Sequence, residues 1–125
     1  MSHDHHWQET EEFYRRHLDE GSGVALMLQL VEWLRKSKYA NEVCPSTSHF
    51  SLILSFSDEY RDRVNMPAIA AEEVGNGMLS LEYYPSGTGK THDLEKFSVP
   101  TTGIQDLIEA LLIRMAHDAT QSQSE

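Results

Sequence analysis

Residues 67–84 read PAIAAEEVGNGMLSLEYY, and the fold turns on whether the first half of this stretch is a helix or a strand. Pro67 at a first helical position and Gly75 just past Val74 suit a short helix. Gly75-Asn76-Gly77 is equally the chemistry of a hairpin turn, and beyond it Leu79, Leu81 and Tyr83 alternate with Ser80, Glu82 and Tyr84. The pattern favours a strand over 67–74, with 78–84 as its clearer partner.

Period-two patterning also appears upstream. From His49, Phe50, Leu52, Leu54 and Phe56 oppose Ser51, Ile53 and Ser55, which predicts a strand with one strongly apolar face. The preceding Cys44-Pro45-Ser46-Thr47-Ser48 has loop composition, and the charged run SDEYRDRVN (57–65) reads as a connector with room for a helical turn. Downstream, His92 to Val99 predicts another strand that places Phe97 and Val99 on one face, with Pro100 ending it. Thr102-Gly103-Ile104-Gln105 is a capping-box pattern. The helix it starts carries Ile104, Leu107, Ile108, Leu111, Leu112 and Met115 at amphipathic spacing.

The N-terminal third is helical in pattern. Gln8–Asp19 has acids in its first turn and Arg15, Arg16 and His17 in its last, matching the helix dipole. After Glu20-Gly21-Ser22-Gly23, a second helix runs to about Lys38 with a broad apolar face around Val24, Met27, Leu28, Val31 and Leu34. The expected fold is therefore α+β and two-layer, with two N-terminal helices, an antiparallel sheet of three or four strands, and a C-terminal helix packed on the sheet. The second and last helices are expected to cover the sheet, leaving the first peripheral. Residues 1–6 are expected to be a flexible His-rich tail, 7–117 a single α+β domain, and 118–125 a flexible tail.

With 125 residues the chain is long enough for a core without disulfide or metal staples. Twenty acidic against ten basic residues give a net charge of -10, which disfavours nucleic acid and anionic membrane surfaces as partners. A lone Cys44 excludes an intrachain disulfide, and no apolar run approaches a membrane span. The start of the chain has neither the basic end nor the apolar centre of a secretory signal, so a cytoplasmic location is expected.

Several motifs invite a chemical reading. GTGKT at 87–91 resembles a phosphate loop, but Tyr84 stands where the first glycine belongs, and Pro100 follows too soon for the required helix. The expectation is a turn-rich connection, with no cofactor. His3, His5 and His6 with Asp4 are closely spaced, yet a tail does not preorganise a metal site, so no metal is expected. Cys44 lacks local charge that would activate it as a nucleophile.

What remains is a surface. Tyr84, Glu82 and Lys90, at the end of a strand and in the loop after it, are the candidate partner-binding residues. Another protein is the expected partner, which suggests an adaptor, a chaperone or an inhibitor of a basic protein, with a homodimer through a sheet edge as a further arrangement. The alternative is an enzyme or small-ligand binder with a pocket built from His49, Glu82 and His92 on the polar sheet face.

Overall fold

The computed structural model of the chain describes residues 3–57, 59, 64–90 and 93–123. In chain order the elements are α1 (Asp4–Arg16), a 3₁₀ turn (Leu18–Glu20), α2 (Ser22–Arg35), β1 (Cys44–Ser48), β2 (Ser51–Ser55), β3 (Ala68–Gly75), β4 (Met78–Tyr84), β5 (Glu95–Pro100), a second 3₁₀ turn (Thr101–Gly103) and α3 (Ile104–Gln123). The strands form one antiparallel meander in the order β1-β2-β3-β4-β5. The fold is α+β.

The ambiguous stretch is a hairpin. β3 and β4 pair from Ala68↔Tyr84 to Gly75↔Met78, and Asn76 and Gly77 make the two-residue turn with φ values of 57° and 73°. Positive φ at both central positions is the hairpin turn whose twist matches the strands, and Asn-Gly is the pair that adopts it at least cost. The register shifts between Glu73 and Gly75, turning Val74 out into solvent.

The sheet has five strands, not three or four. The extra strand is β1, whose CPSTS composition predicts a loop. At the edge of a sheet only one side of the strand is paired, so Pro45 is tolerated there, and the short polar side chains suit an outer strand. β2 is shorter than expected, because His49 (φ 57°) and Phe50 form the turn from β1. β5 starts at Glu95, with Asp93 and Leu94 outside the strand, and the expected start at His92 lies outside the described residues.

Alternation sorts each strand into two faces. Leu52, Leu54, Ile69, Ala71, Leu79, Leu81 and Tyr83 point to one side and are buried with Trp7 and Tyr14 of α1, Met27, Val31 and Leu34 of α2, and Ile108, Leu112 and Met115 of α3. Burying each of these large side chains is worth about 1.5–3 kcal/mol, so this one layer supplies most of the driving force for folding. Phe97 and Val99 pack against the same core.

The first helix is not peripheral. It starts at Asp4, four residues before the expected Gln8, and buries Trp7 and Tyr14 almost completely. Trp7 Nε1 donates to the Ala40 carbonyl (2.9 Å), and the Tyr14 hydroxyl donates to the Phe50 carbonyl (2.9 Å). Arg35 of α2 pairs with Asp4 (3.2 Å) and with Glu11, tying the two helices together. Aromatic residues with a polar handle are thus used to fasten the helix at both ends.

Two further docking contacts set the frame. α2 has no acidic residue in its first turn, and the Glu73 carboxylate of β3 takes that place. Gly23 permits this approach, because a Cβ there would lie 2.7 Å from Glu73 Oε1. α3 is entered through the 3₁₀ turn, at the point where the capping-box pattern predicts a start, and it runs on to Gln123. Its Arg114 lies 4.6 Å from the Tyr83 ring centroid and pairs with Glu95, while the Tyr83 hydroxyl donates to Asp118 (2.5 Å). No helix of the described residues is long and apolar enough to cross a membrane.

Candidate functional site

The face of the sheet away from the core carries the residues singled out from sequence. Register places Ser46, Ile53, Ala70, Glu82 and Lys96 in one row across all five strands, and Glu72, Ser80 and Ser98 in the next. Half of these side chains, Ser46, Ala70, Ser80 and Ser98, are short. Above them stand the carboxylates: Ser51 donates to Glu72 (2.8 Å), Tyr84 donates to Glu82 (3.2 Å), and Lys96 Nζ is 3.9 Å from Glu82. Burial, with the neighbouring Glu82 charge and hydrogen bond, raises the Tyr84 pKa, so this phenol stays a neutral donor. Glu82 and Tyr84 form a joined pair, as strand neighbours two residues apart on one face.

Lys90 lies beyond the strand end and is exposed. The loop before it is held by backbone contacts. Gly89 N–H donates to the Val64 carbonyl (3.1 Å), and a Cβ on Gly87 (φ 96°) would lie 2.4 Å from the Val64 carbonyl group. The glycines of GTGKT therefore serve a close approach between two connections. A strand, β5, follows the motif where a phosphate loop would need a helix.

The alternative trio is not gathered in what the structure describes. His49 sits exposed in the β1–β2 turn, and Glu82 is mid-strand on β4. Four residues along and two strands across put them on the order of 15 Å apart. His92 lies outside the described residues.

A second cluster brings two of the N-terminal histidines to a residue that the sequence does not connect with them. A concavity of about 540 Å³ runs between α1 and β1, lined by His6, Thr10, Phe13 and Arg16 on the helix and Cys44 and Ser46 on the strand. At one end of it, donor atoms of His3, His6 and Cys44 all lie within 4.8 Å of one another. His3 and His6 are i and i+3, so they share a side of the helix start. Cys44 is buried at the start of β1. The sequence shows the histidine spacing, but reading it as a preformed pair requires knowing that Trp7 anchors the helix. The approach of Cys44, some forty residues away, leaves no local signature.

Compared with protein-family models, curated proteins and solved structures, the chain matches none. Its function is therefore argued from geometry alone.

Proposed function

We propose that the protein is a small acidic binding module of the cytoplasm that engages another, basic protein through the open face of its sheet. The observation that carries this reading is the composition of that face. The small side chains of Ser80 and Ala70 lie between Glu72 and Glu82, with Tyr84 beside them, and among the described residues the helices pack their buried side chains on the opposite face. A platform with two carboxylates, one tyrosine and Lys96 at its β5 edge suits a partner that presents Lys or Arg side chains, and the net charge of -10 speeds their encounter. Lys90 lies outside the platform and bounds it at the loop end. An adaptor, chaperone or inhibitor role would all use such a surface.

The test is a comparative capture from the cell of origin. Wild-type protein and the double variant Glu72→Lys, Glu82→Lys are used as baits side by side, at low and high salt, with Tyr84→Ala as a third bait. A stoichiometric basic partner is expected on the wild-type bait at low salt, reduced by Tyr84→Ala and lost on the double variant. The same partner on all three baits, or none on any, overturns the reading.

A further inference from the structure

We infer that His3, His6 and Cys44 form a binding site for a zinc ion, at the end of the groove between α1 and β1. The inference is independent of the sheet-face reading.

The ligand set is the first argument. Two imidazoles and one thiolate are a zinc donor set, borderline-soft in character, and carboxylate-preferring ions such as Mg²⁺ and Ca²⁺ are poorly served by it. The second is placement. In a tetrahedral zinc site with bonds of about 2.0–2.3 Å the donors stand about 3.5 Å apart. Three donors already within 4.8 Å reach that spacing by small side-chain rotations. The third is rigidity. Trp7 fastens the helix start to Ala40, the Thr10 hydroxyl donates to the His6 carbonyl (2.8 Å), and Arg35 holds Asp4, so the histidines stand on a fixed element. Cys44 is held by its pairing with Ser55 in β2.

Electrostatics agree with this. The sulfur lies by the N-terminal end of α1, where the helix dipole favours the negative charge that a thiolate ligand carries. As the Zn–S bond forms, the thiol proton passes to solvent, so affinity rises with pH. Because His6 and Cys44 also line the groove, the fourth position opens into it. Water, or a donor atom of a molecule lying in the groove, completes the shell there. Three protein ligands with one open position is the arrangement of reactive zinc rather than of a closed structural site.

The test uses the full chain, kept reduced with a phosphine, and titrates it with Zn²⁺, Co²⁺ and Mg²⁺. One equivalent of Zn²⁺ is expected to bind, Mg²⁺ is not, and the Co²⁺ complex is expected to show a thiolate-to-metal charge-transfer band. Free Zn²⁺ at about 100 times Kd is expected to raise Tm by about 10 °C. Changes to the outer shell of metal sites cost about 10- to 100-fold in affinity, so His3→Ala or His6→Ala is expected to cost about 100-fold. Cys44→Ser is expected to abolish the charge-transfer band, with circular dichroism reporting that the variant is folded. His5→Ala is the control, because His5 turns away to Glu9 (2.8 Å) and is largely exposed. His3 is at the helix cap and its side chain makes no capping hydrogen bond, so His3→Ala decides the matter if Cys44→Ser fails to fold. Absence of binding, a cobalt complex without the band, or equal zinc affinity in wild type and His3→Ala each overturns the site.

Discussion

The two faces of the one sheet are built from the same strands and have opposite fates. On β4, Leu79, Leu81 and Tyr83 are no more than 1% exposed, while Ser80, Glu82 and Tyr84, their immediate neighbours, stay partly in solvent. The first set packs into a core shared with three helices, and among the described residues the second is not part of that core. The difference teaches that alternation in a strand specifies a layer as well as a strand. A face of Leu and Tyr demands a cover of helices, and a face of Ser and Glu refuses one, because its carboxylates would be stranded.

Truncation is the strongest way to break this comparison. Leu81→Ala removes a side chain from the centre of the core, between Ala71 and Phe97 of the flanking strands, and is expected to cost about 2–5 kcal/mol in urea unfolding. Ser80→Ala, one residue away on the other face, is expected to stay within about 0.5 kcal/mol. Comparable costs for the two would mean that the open face is covered as well.

The alternation was legible because it is local. Leu52 and Leu54 of HFSLILSF and Leu79, Leu81 and Tyr83 of MLSLEYY are buried as their alternation predicts, although Phe50 of the first run falls in the turn and is 39% exposed, and the C-terminal helix shows its own face through Ile104, Ile108, Leu111, Leu112 and Met115, all of which are buried. β1 was not legible, since an edge strand needs only a partner and Cys44–Ser48 has no apolar period to reveal one. The depth of α1 was also hidden, because Trp7, Phe13, Tyr14 and Leu18 make only a narrow apolar stripe, and the acceptor that fixes Trp7, Ala40, is far along the chain. The candidate sites divide in the same way. Glu82 and Tyr84 sit two apart on a strand, so their shared face could be read, whereas the meeting of His3 and His6 with Cys44 is tertiary.

A smaller effect sharpens the comparison through pH. Tyr83 belongs to the covered face and Tyr84 to the open one. Burial first, then the Asp118 hydrogen bond, raises the Tyr83 pKa strongly above the ordinary 10.0, and burial does the same for Tyr14. In the unfolded chain these phenols lose their protons near pH 10, while the folded chain keeps them. The unfolded state then binds fewer protons, so stability is unaffected below pH 10 and falls as pH rises above it. Tyr83→Phe is expected to cost about 1–2 kcal/mol at neutral pH, by loss of the bond to Asp118, and to remove about one proton from the alkaline slope. Denaturant titrations between pH 8 and about 12 measure both. An unchanged slope would mean that Tyr83 is reached by solvent from the supposedly covered side.

The smallest effect is expected where the open face has a close pair of opposite charges across neighbouring strands. Lys96 and Glu82 face each other on β5 and β4 at 3.9 Å, with the lysine side chain 70% exposed. Water screens such a pair and the long lysine chain loses freedom in holding it, so Lys96→Ala is expected to change stability by less than about 0.5 kcal/mol. Its effect on binding should be larger and of opposite sense. Removing the only cation of the row leaves Glu82 unopposed and deepens the negative potential of the platform, which draws a basic partner faster at low salt. Urea unfolding and the salt dependence of partner association separate the two quantities. A Lys96→Ala protein that loses a full kilocalorie per mole, or that binds its partner more weakly, would show that the pair holds the sheet together instead of tuning an exposed surface.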